Sequence, residues 1–410
     1  MTDSTRRTDI DWLRIAATYL LFVFHVGKVF DPAPFFHIRS QELSMGFTVL
    51  CGFISLWHMP LFFMLAGWSA AASLSARGGG AFLRERGRRL ALPLLAGCVL
   101  FGPIMKYAEL SSGLDLNHRT LRMSAEHQNA IAPLLSEPLE IAPDFEESFL
   151  EFLPSFFTDL DRFTWGHLWF VAYLLALTVA LMPLMLAMLR WKGRLAQPRP
   201  WMLYAPMALL VVVQLTMRER WPGIYNLYDD WANVAYYAIF VASGFALATQ
   251  PQVEELVASR WKVSLGIAVA TSLALLTGLL GLVQSKTLML VGPAVAGWCY
   301  VLALLGIGRR MLIASGPAHA YLSESTFPVY ILHQVAIIVV GYWLIRLTLP
   351  LPLEFVLLVA ASLTATMGIY HYLVRPFALP RLLLGMKPPA RRCAVSFPEL
   401  PKPSPSALRG

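Results

Sequence analysis

The sequence predicts an all-α polytopic membrane protein with about ten transmembrane helices and both termini in the cytoplasm. Three observations lead to this fold class. Of the 410 residues, 57% are hydrophobic and only 14% are charged, which is too apolar for a soluble protein of this length. The apolar residues fall into long stretches, and the basic residues concentrate between alternate stretches.

Ten apolar stretches are long enough to cross a bilayer, since ~30 Å of hydrocarbon requires a helix of about 20 residues. The predicted spans cover 11–30, 47–74, 88–105, 165–189, 201–217, 231–249, 263–283, 287–306, 321–345 and 352–374. The first is followed by Lys28 and Asp31 rather than by a small-residue cleavage site. We therefore expect it to be retained and not removed as a signal peptide.

Basic side chains give the predicted orientation, because lysine and arginine accumulate in short cytoplasmic loops. With the N-terminus inside, every segment predicted to be cytoplasmic is basic, whereas the external segments are poor in lysine and arginine. Ten spans therefore place the basic segments on the cytoplasmic side, as the charge rule requires.

The domain organisation follows from these spans. Residues 1–375 form a predicted membrane domain, with an acidic external loop at 106–164 that either covers something functional or is a floppy connection. The end of this loop, "PSFFTDLDRFTWGHLWF", is typical of a surface helix that runs into span four. Residues 376–410, rich in proline and serine near their end, are expected to be a disordered cytoplasmic tail.

Several function classes are disfavoured. The net charge of +8 does not indicate nucleic-acid binding, because no basic run is interleaved with aromatic residues. The four cysteines are scattered without a CxxC pair or zinc spacing, so no metal site and no disulfide framework is expected. The sequence has no GxxxxGK[ST] pattern, which argues against an ATP-driven engine.

The first span, "DWLRIAATYLLFVFH", carries Arg14 and His25, which are eleven positions apart and share a helix face. They are ~16 Å apart along the helix axis, so they cannot touch. Arg14 is either part of a site or a snorkelling anchor at the inner headgroups. An ionisable side chain in mid-span requires a polar cavity or a partner, so His25 either lines a cavity or is a neutral imidazole held by a neighbouring helix.

Further histidines lie at similar depth. His58 and His333 fall near the centres of spans two and nine, and His167 opens span four at the outer face. One such histidine is usually structural, but this number suggests a lined cavity. No pair has metal-ligand spacing, so the pattern favours proton transfer and hydrogen bonding to a substrate, for which the near-neutral pKa of an imidazole is suited.

The segment "SARGGGAFLRERGRRL" is predicted to be a cytoplasmic loop that carries Arg84, Arg86, Arg88 and Arg89. These arginines either hold the loop inside or bind the phosphates of a donor that arrives from the cytoplasm.

The chain resembles the integral-membrane acyltransferase-3 family, and within it the branch that includes glucans biosynthesis protein C. The resemblance lies in "DWLRIAATYLLFVFH", "HMPLFFMLAGW", the basic segment with "RRLALPLL", "GHLWFVAYLL" and "ESTFPVYILHQ", in family order. It departs at Ala66, where the family often has serine.

This resemblance implies a ten-span O-acyltransferase, expected in a bacterial inner membrane. It would take an acetyl or succinyl group from cytoplasmic acyl-CoA and deliver it to a hydroxyl of a sugar or glucan at the outer face. His25 matches the catalytic histidine and Arg14 its partner in span one; Arg84, Arg86, Arg88 and Arg89 match the basic donor-binding segment. As candidate groups that line the cavity and bind substrate we add His58, His167, Trp57, Trp169, Tyr330 and His333.

Two other functions compete with this one. The midplane histidines could serve as the proton relay of a transporter or flippase, although no internal repeat and no mid-span carboxylate supports that function. The chain could also be a non-catalytic membrane partner in polysaccharide assembly, in which the histidines would be structural.

Overall fold

A computed structural model describes residues 7–33, 36–116, 145–194 and 198–387. These residues form a bundle of α-helices. The helices are α1 (Thr8–Val29), α2 (Met45–Arg77), α3 (Gly79–Arg86), α4 (Leu92–Leu100), α5 (Gly102–Leu110), α6 (Phe149–Thr158), α7 (Trp169–Ala180), α8 (Met182–Arg190), α9 (Ala205–Met217), α10 (Trp231–Thr249), α11 (Pro251–Leu279), α12 (Lys286–Met311), α13 (Pro317–Leu344), α14 (Leu351–Gly368) and α15 (Ala378–Leu383).

The prediction of an all-α polytopic membrane protein with about ten spans is confirmed. Within the described ranges, nine helical segments are long and apolar enough to cross a membrane, and a tenth is formed if the bent pair α7 and α8 is one span. That pair is bent by 55° between its helices. Pro183 stands at the start of α8, where its missing N–H and its ring interrupt the helical hydrogen bonds.

The third span is longer than predicted. A continuous helical segment runs over Gly79–Leu110, through α3, a π-helical turn at Gly87–Ala91, α4 and α5. The four arginines predicted to lie in a loop are therefore on helix, and Lys106 and Glu109, assigned by the sequence to the external loop, belong to the outer end of α5. We call the end of the bundle where α1 begins the inner end and the opposite one the outer end, following the predicted topology.

The external segment is described in part. The capping box of Ser148 and Glu151 starts α6, and Phe152 and Phe156 of this helix are fully buried beside α5. Only the second half of this helix, 154–158, falls in the stretch that predicts a surface helix. Residues 117–144 of the predicted loop lie outside the described residues.

The boundary of the tail differs from the expectation. Residues 376–387 hold α15, which is anchored by Arg381: this residue is 8% exposed, and its guanidinium donates to the carboxylate of Glu324 on α13 at 2.8 Å. Residues 388–410, which include the Pro- and Ser-rich end, lie outside the described part.

Two helices of the core, α2 and α10, pack very closely. The helices α2 and α10 cross where Gly67 faces the carbonyl oxygen of Val241 and Gly244 faces that of Met64; a Cβ atom at either glycine would overlap the facing carbonyl. Small residues at such crossings let two membrane helices approach closely. The crossing supports the central helices α1, α2 and α13, which carry the histidines.

A valine at Gly67 should therefore separate α2 from α10 and destabilise the protein by about 1–3 kcal/mol. We expect a lower thermal-unfolding midpoint of the purified protein in detergent for Gly67→Val. Gly52→Val is the matched control on the same helix, because a Cβ there meets no atom within 4 Å. Equal midpoints for both variants would contradict the close crossing.

Candidate active site

His25, on the helix face of α1 that meets α13, lies beside His333, with 5.0 Å between the two ring centroids. The ring of Phe36, from the loop after α1, covers His25 at 5.6 Å. The Nδ1 atom of His25 is buried and has no hydrogen-bond partner, whereas part of the side chain stays accessible. His25 is thus held in place by rings rather than by hydrogen bonds.

His333 is itself flanked by a third imidazole, that of His167, at 4.9 Å between centroids. We call His25, His333 and His167 the imidazole row; its members come from α1, α13 and the turn before α7. The side chains of His333 and His167 are 0% and 5% exposed. The structure therefore brings together three of the four histidines that the sequence singles out.

Hydrogen bonds fix the tautomers of His333 and His167. His333 Nδ1 lies 2.6 Å from the Tyr330 carbonyl oxygen, and His167 Nε2 lies 3.1 Å from that of Ile331. A carbonyl oxygen only accepts, so each of these ring nitrogens donates its proton and the other nitrogen keeps a lone pair. Those other nitrogens, His333 Nε2 and His167 Nδ1, are buried without a partner.

The amide oxygen of Gln334, a residue 3% exposed, is likewise buried without a partner. Buried polar atoms in folded proteins nearly always have hydrogen bonds, so an unpartnered buried atom is completed by a water molecule or a ligand. Because the unpartnered atoms of His333, His167 and Gln334 are acceptors, the ligand has to supply hydrogen-bond donors.

Local structure explains how His167 reaches this position. Gly166 has φ +50°, a conformation that favours glycine, and a Cβ there would press on Met105 Cε at 2.9 Å. The hydroxyl of Tyr330 donates to the backbone oxygen of His167 at 2.5 Å. Tyr330 thus binds the turn to α13, and its ring lies 5.4 Å from that of His167.

His58 is placed differently from the row. Its Nε2 donates to the carbonyl oxygen of Ala17 on α1 at 2.7 Å, and its ring packs against Phe24, Trp57 and Phe62. This contact holds α2 against α1.

Trp169 also packs apart from the row. Its ring packs on Tyr225 at 4.3 Å and on Tyr237 at 5.6 Å. The structure therefore does not bring Trp169 into contact with the imidazole row.

Basic side chains gather at the inner end. Arg14 donates to Ser69 Oγ on α2 at 2.8 Å and pairs with Asp11 at 3.0 Å. It is thus bound to α2 rather than extended freely toward the headgroups. Arg86 lies over the ring of Phe82 at 5.2 Å and interacts electrostatically with Arg14, Arg77 and Arg89.

We call Arg14, Arg77, Arg86 and Arg89 the inner arginine cluster. Glu85 is the acidic partner of two members, at 3.1 Å from Arg89 and 4.0 Å from Arg77. The Nε atom of Arg86 is buried without a partner. Arg84 and Arg88, also predicted to bind a donor, are exposed.

A second group of charged residues, at the outer end, was not predicted from the sequence. His37 Nδ1 lies 2.6 Å from Glu109, which pairs with Lys106 at 2.6 Å, and Lys106 pairs with Asp115 at 2.8 Å. We call these four residues the outer charged chain. Lys106 and Glu109, three positions apart at the end of an apolar stretch, were the available signal, but His37 is 72 positions from Glu109.

Within the described ranges, no group of three or more histidine, cysteine, aspartate or glutamate side chains is arranged to hold a metal ion.

Comparison with known proteins assigns the chain to a family. The family model described as an acyltransferase domain, Acyl_transf_3, matches residues 7–371. No curated protein and no solved structure matches the chain. The match covers the membrane helices α1 to α14 and therefore every residue of the imidazole row and the inner arginine cluster. The chain belongs to the acyltransferase-3 family and is an integral-membrane acyltransferase.

Proposed function

We propose that this acyltransferase moves an acetyl or succinyl group from cytoplasmic acyl-CoA to a hydroxyl of a sugar or glucan at the outer face of the membrane. One observation carries the proposal: the imidazole row, with its unpartnered ring nitrogens, lies between a basic inner end and an outer end that is not basic overall. An O-acyl transfer across a bilayer requires an acid–base group between a donor site and an acceptor site.

The inner arginine cluster is the proposed donor site. Guanidinium groups bind phosphate oxygens with two parallel hydrogen bonds, and several of them in one place suit the phosphates of coenzyme A. Arg86 is the central member, because its Nε lacks a protein partner while Phe82 supports its planar group. Arg84 and Arg88, at the surface, contribute to the attraction of the anion and make no direct contact with it.

Arg14 links the donor site to the row, as it shares a helix face with His25 and lies ~16 Å below it. An extended acyl-CoA held at its phosphates by the cluster would place its thioester along this face of α1. His25 is the member of the row whose side chain remains partly accessible, so it is the proposed acid–base catalyst.

The proposed chemistry is a direct transfer. His25 takes the proton of the acceptor hydroxyl while the hydroxyl oxygen attacks the thioester carbonyl carbon. A C–O bond forms, the C–S bond breaks, and the proton on His25 passes to the departing thiolate to give coenzyme A. His333, His167 and Gln334 accept hydrogen bonds from the acceptor, since each offers an unpartnered acceptor atom.

The other predicted residues have supporting roles in this proposal. Tyr330 positions His167, and His58 holds α2 on α1 beside the row. Trp169, packed on Tyr225, would contact only an acceptor long enough to extend beyond the row. The proposed location is a bacterial inner membrane, in which acyl-CoA lies on one side and envelope glycans on the other.

Replacing His25 by alanine should reduce acyl transfer about 10²- to 10⁴-fold, the usual contribution of a positioned acid–base group. The measurement is mass spectrometry of envelope glycans from cells that carry the wild type or the variant, together with the amount of folded protein in the membrane. His319→Ala is the matched control: its side chain is 5% exposed and it packs against Trp12 at the inner end. Full acylation in cells with the His25 variant would overturn the catalytic role.

Replacing the arginines one at a time should change the KM for acyl-CoA more at the largely buried Arg86 than at the exposed Arg84. Arg86→Gln should raise the KM for acyl-CoA about 10- to 100-fold, because a charged hydrogen bond to phosphate is lost. Arg84→Gln, at an exposed position two residues away, should change this KM less than about threefold. Both constants come from coenzyme A release by the purified protein. An equal increase for the two variants would contradict a specific donor site at Arg86.

A further inference from the structure

A groove lies at the inner end of the bent fourth span, away from the site described above. It has a volume of about 270 Å³ and separates α8 from the last turn of α10. The helix α8 runs at 55° to α7, so its second half borders the groove rather than continuing the line of the span. The side chains of Leu184, Ala187, Met188 and Trp191 line one side, and those of Ala246 and Thr249 line the other.

The groove is apolar and open to its surroundings. Leu184 is 43% exposed and Trp191 is 63% exposed. The hydroxyl of Thr249 donates to the carbonyl oxygen of Ala246 at 2.9 Å, within its own helix. The groove therefore offers an apolar contact surface, which suits a hydrocarbon chain.

A turn at residues 191–193 follows α8 and is fixed to the end of α10. The backbone N–H of Gly193 donates to the carbonyl oxygen of Thr249 at 3.0 Å. The side-chain amide of Gln250 donates to the carbonyl oxygen of Trp191 at 2.8 Å. These two hydrogen bonds hold Trp191, and the residues next to it, beside the groove.

The residues around Trp191 are basic. Arg190 and Lys192 flank it in the sequence, and the guanidinium of Arg194 lies over its ring, 5.3 Å from the centroid. All three basic side chains are exposed. Arg194 thus rests on a residue that lines the groove, and its N–H donors are placed to meet an anion there.

The surroundings leave this positive charge in place. The two helices that border the groove, α8 and α10, contain no acidic residue. On the next helix, α11, Glu254 is taken up by Arg7 at 2.6 Å and by Arg309 at 2.9 Å. The remaining carboxylate of α11 is that of Glu255, which is exposed. Three basic side chains therefore outnumber the acidic ones beside the groove.

An apolar groove that ends in basic side chains selects one class of ligand. A soluble anion would meet the arginines but leave the groove without an occupant, and a neutral lipid would fill the groove but leave the cations without a partner. An anionic phospholipid satisfies both parts. Lipids of this class enrich the cytoplasmic leaflet, and basic pockets between helices on that side bind their headgroups.

We propose that the groove between α8 and α10 binds one anionic phospholipid of the inner leaflet. Part of an acyl chain packs on Ala187 and Met188, and the headgroup phosphate accepts hydrogen bonds from Arg194. Arg190 and Lys192 attract the headgroup through their charge. This site is independent of the acyl-transfer chemistry proposed above.

The test is native mass spectrometry of the purified full-length protein, titrated in detergent with dioleoyl phosphatidylglycerol or with dioleoyl phosphatidylcholine. The two lipids have the same acyl chains and differ in headgroup charge. We expect one phosphatidylglycerol to bind with a Kd at least about tenfold lower than that of phosphatidylcholine, because only the anion pairs with Arg194.

Two variants separate the apolar part of the site from the basic part. Ala187→Trp fills the groove and keeps every basic residue, so the Kd for phosphatidylglycerol should rise about tenfold or more. Leu186→Trp is the matched control, because Leu186 is 39% exposed on the same helix and does not line the groove.

Arg194→Gln keeps the groove and removes the charge, and should raise the same Kd about 10- to 100-fold. Arg260→Gln, at an exposed arginine of α11, should change it less than about threefold.

Equal affinity for the two lipids, or wild-type affinity in the Ala187→Trp variant, would reduce the binding to general charge attraction at the inner end and overturn the inference. A wild-type dimer that Ala187→Trp dissociates without a change in lipid binding would assign the groove to a second copy of the chain and would also overturn it.

Discussion

The contact between α1 and α13 is the feature on which the rest of the site depends. In a membrane interior a polar side chain has to face protein, and His25 does so by packing on His333, 5.0 Å away. That contact alone would leave two imidazoles among apolar side chains at the interface of α1 and α13. The turn at Gly166 and the hydroxyl of Tyr330 bring in His167, and the result is a set of acceptor atoms that the protein itself does not pair. Leaving such atoms unpaired costs free energy, which a ligand with donors would recover.

The two ends of the bundle differ in charge, and the imidazole row lies between them. At the inner end Glu85 pairs with Arg77 and Arg89, and Asp11 pairs with Arg14, so the four arginines of the cluster outnumber these carboxylates and the local positive charge suits a phosphorylated donor. At the outer end Lys106 is enclosed by two carboxylates, those of Glu109 and Asp115, within a buried chain. In the proposed function, acyl-CoA enters from the inner end and a neutral polyhydroxyl acceptor from the outer end. The asymmetry of charge would then separate the two proposed substrates before any chemistry takes place.

Sequence reasoning predicts the helices and the depth of each histidine well, because both follow from hydrophobic length and position along a span. It identifies Arg14, His25, His167 and His333 for the same reason. It does not give the direction in which a side chain points around its helix, so Trp169 and His58 were grouped with the row although they pack elsewhere. Nor does it join residues that are distant in sequence: His37 and Glu109 meet only because a loop and the outer end of α5 fold together. The arginine segment was predicted as a loop because it lies between two apolar stretches, whereas it is helical and buries Phe82 of α3 in the core.

The most direct test of the account is the sidedness of the reaction in proteoliposomes with one known orientation. Acyl-CoA is supplied on the side of Arg86 and the glycan acceptor on the side of His37, and the acylated glycan and the released coenzyme A are then measured in each compartment. We expect product only in this arrangement, with the acylated glycan on the His37 side and coenzyme A on the Arg86 side. Product formed only when both substrates are supplied on the same side would contradict it.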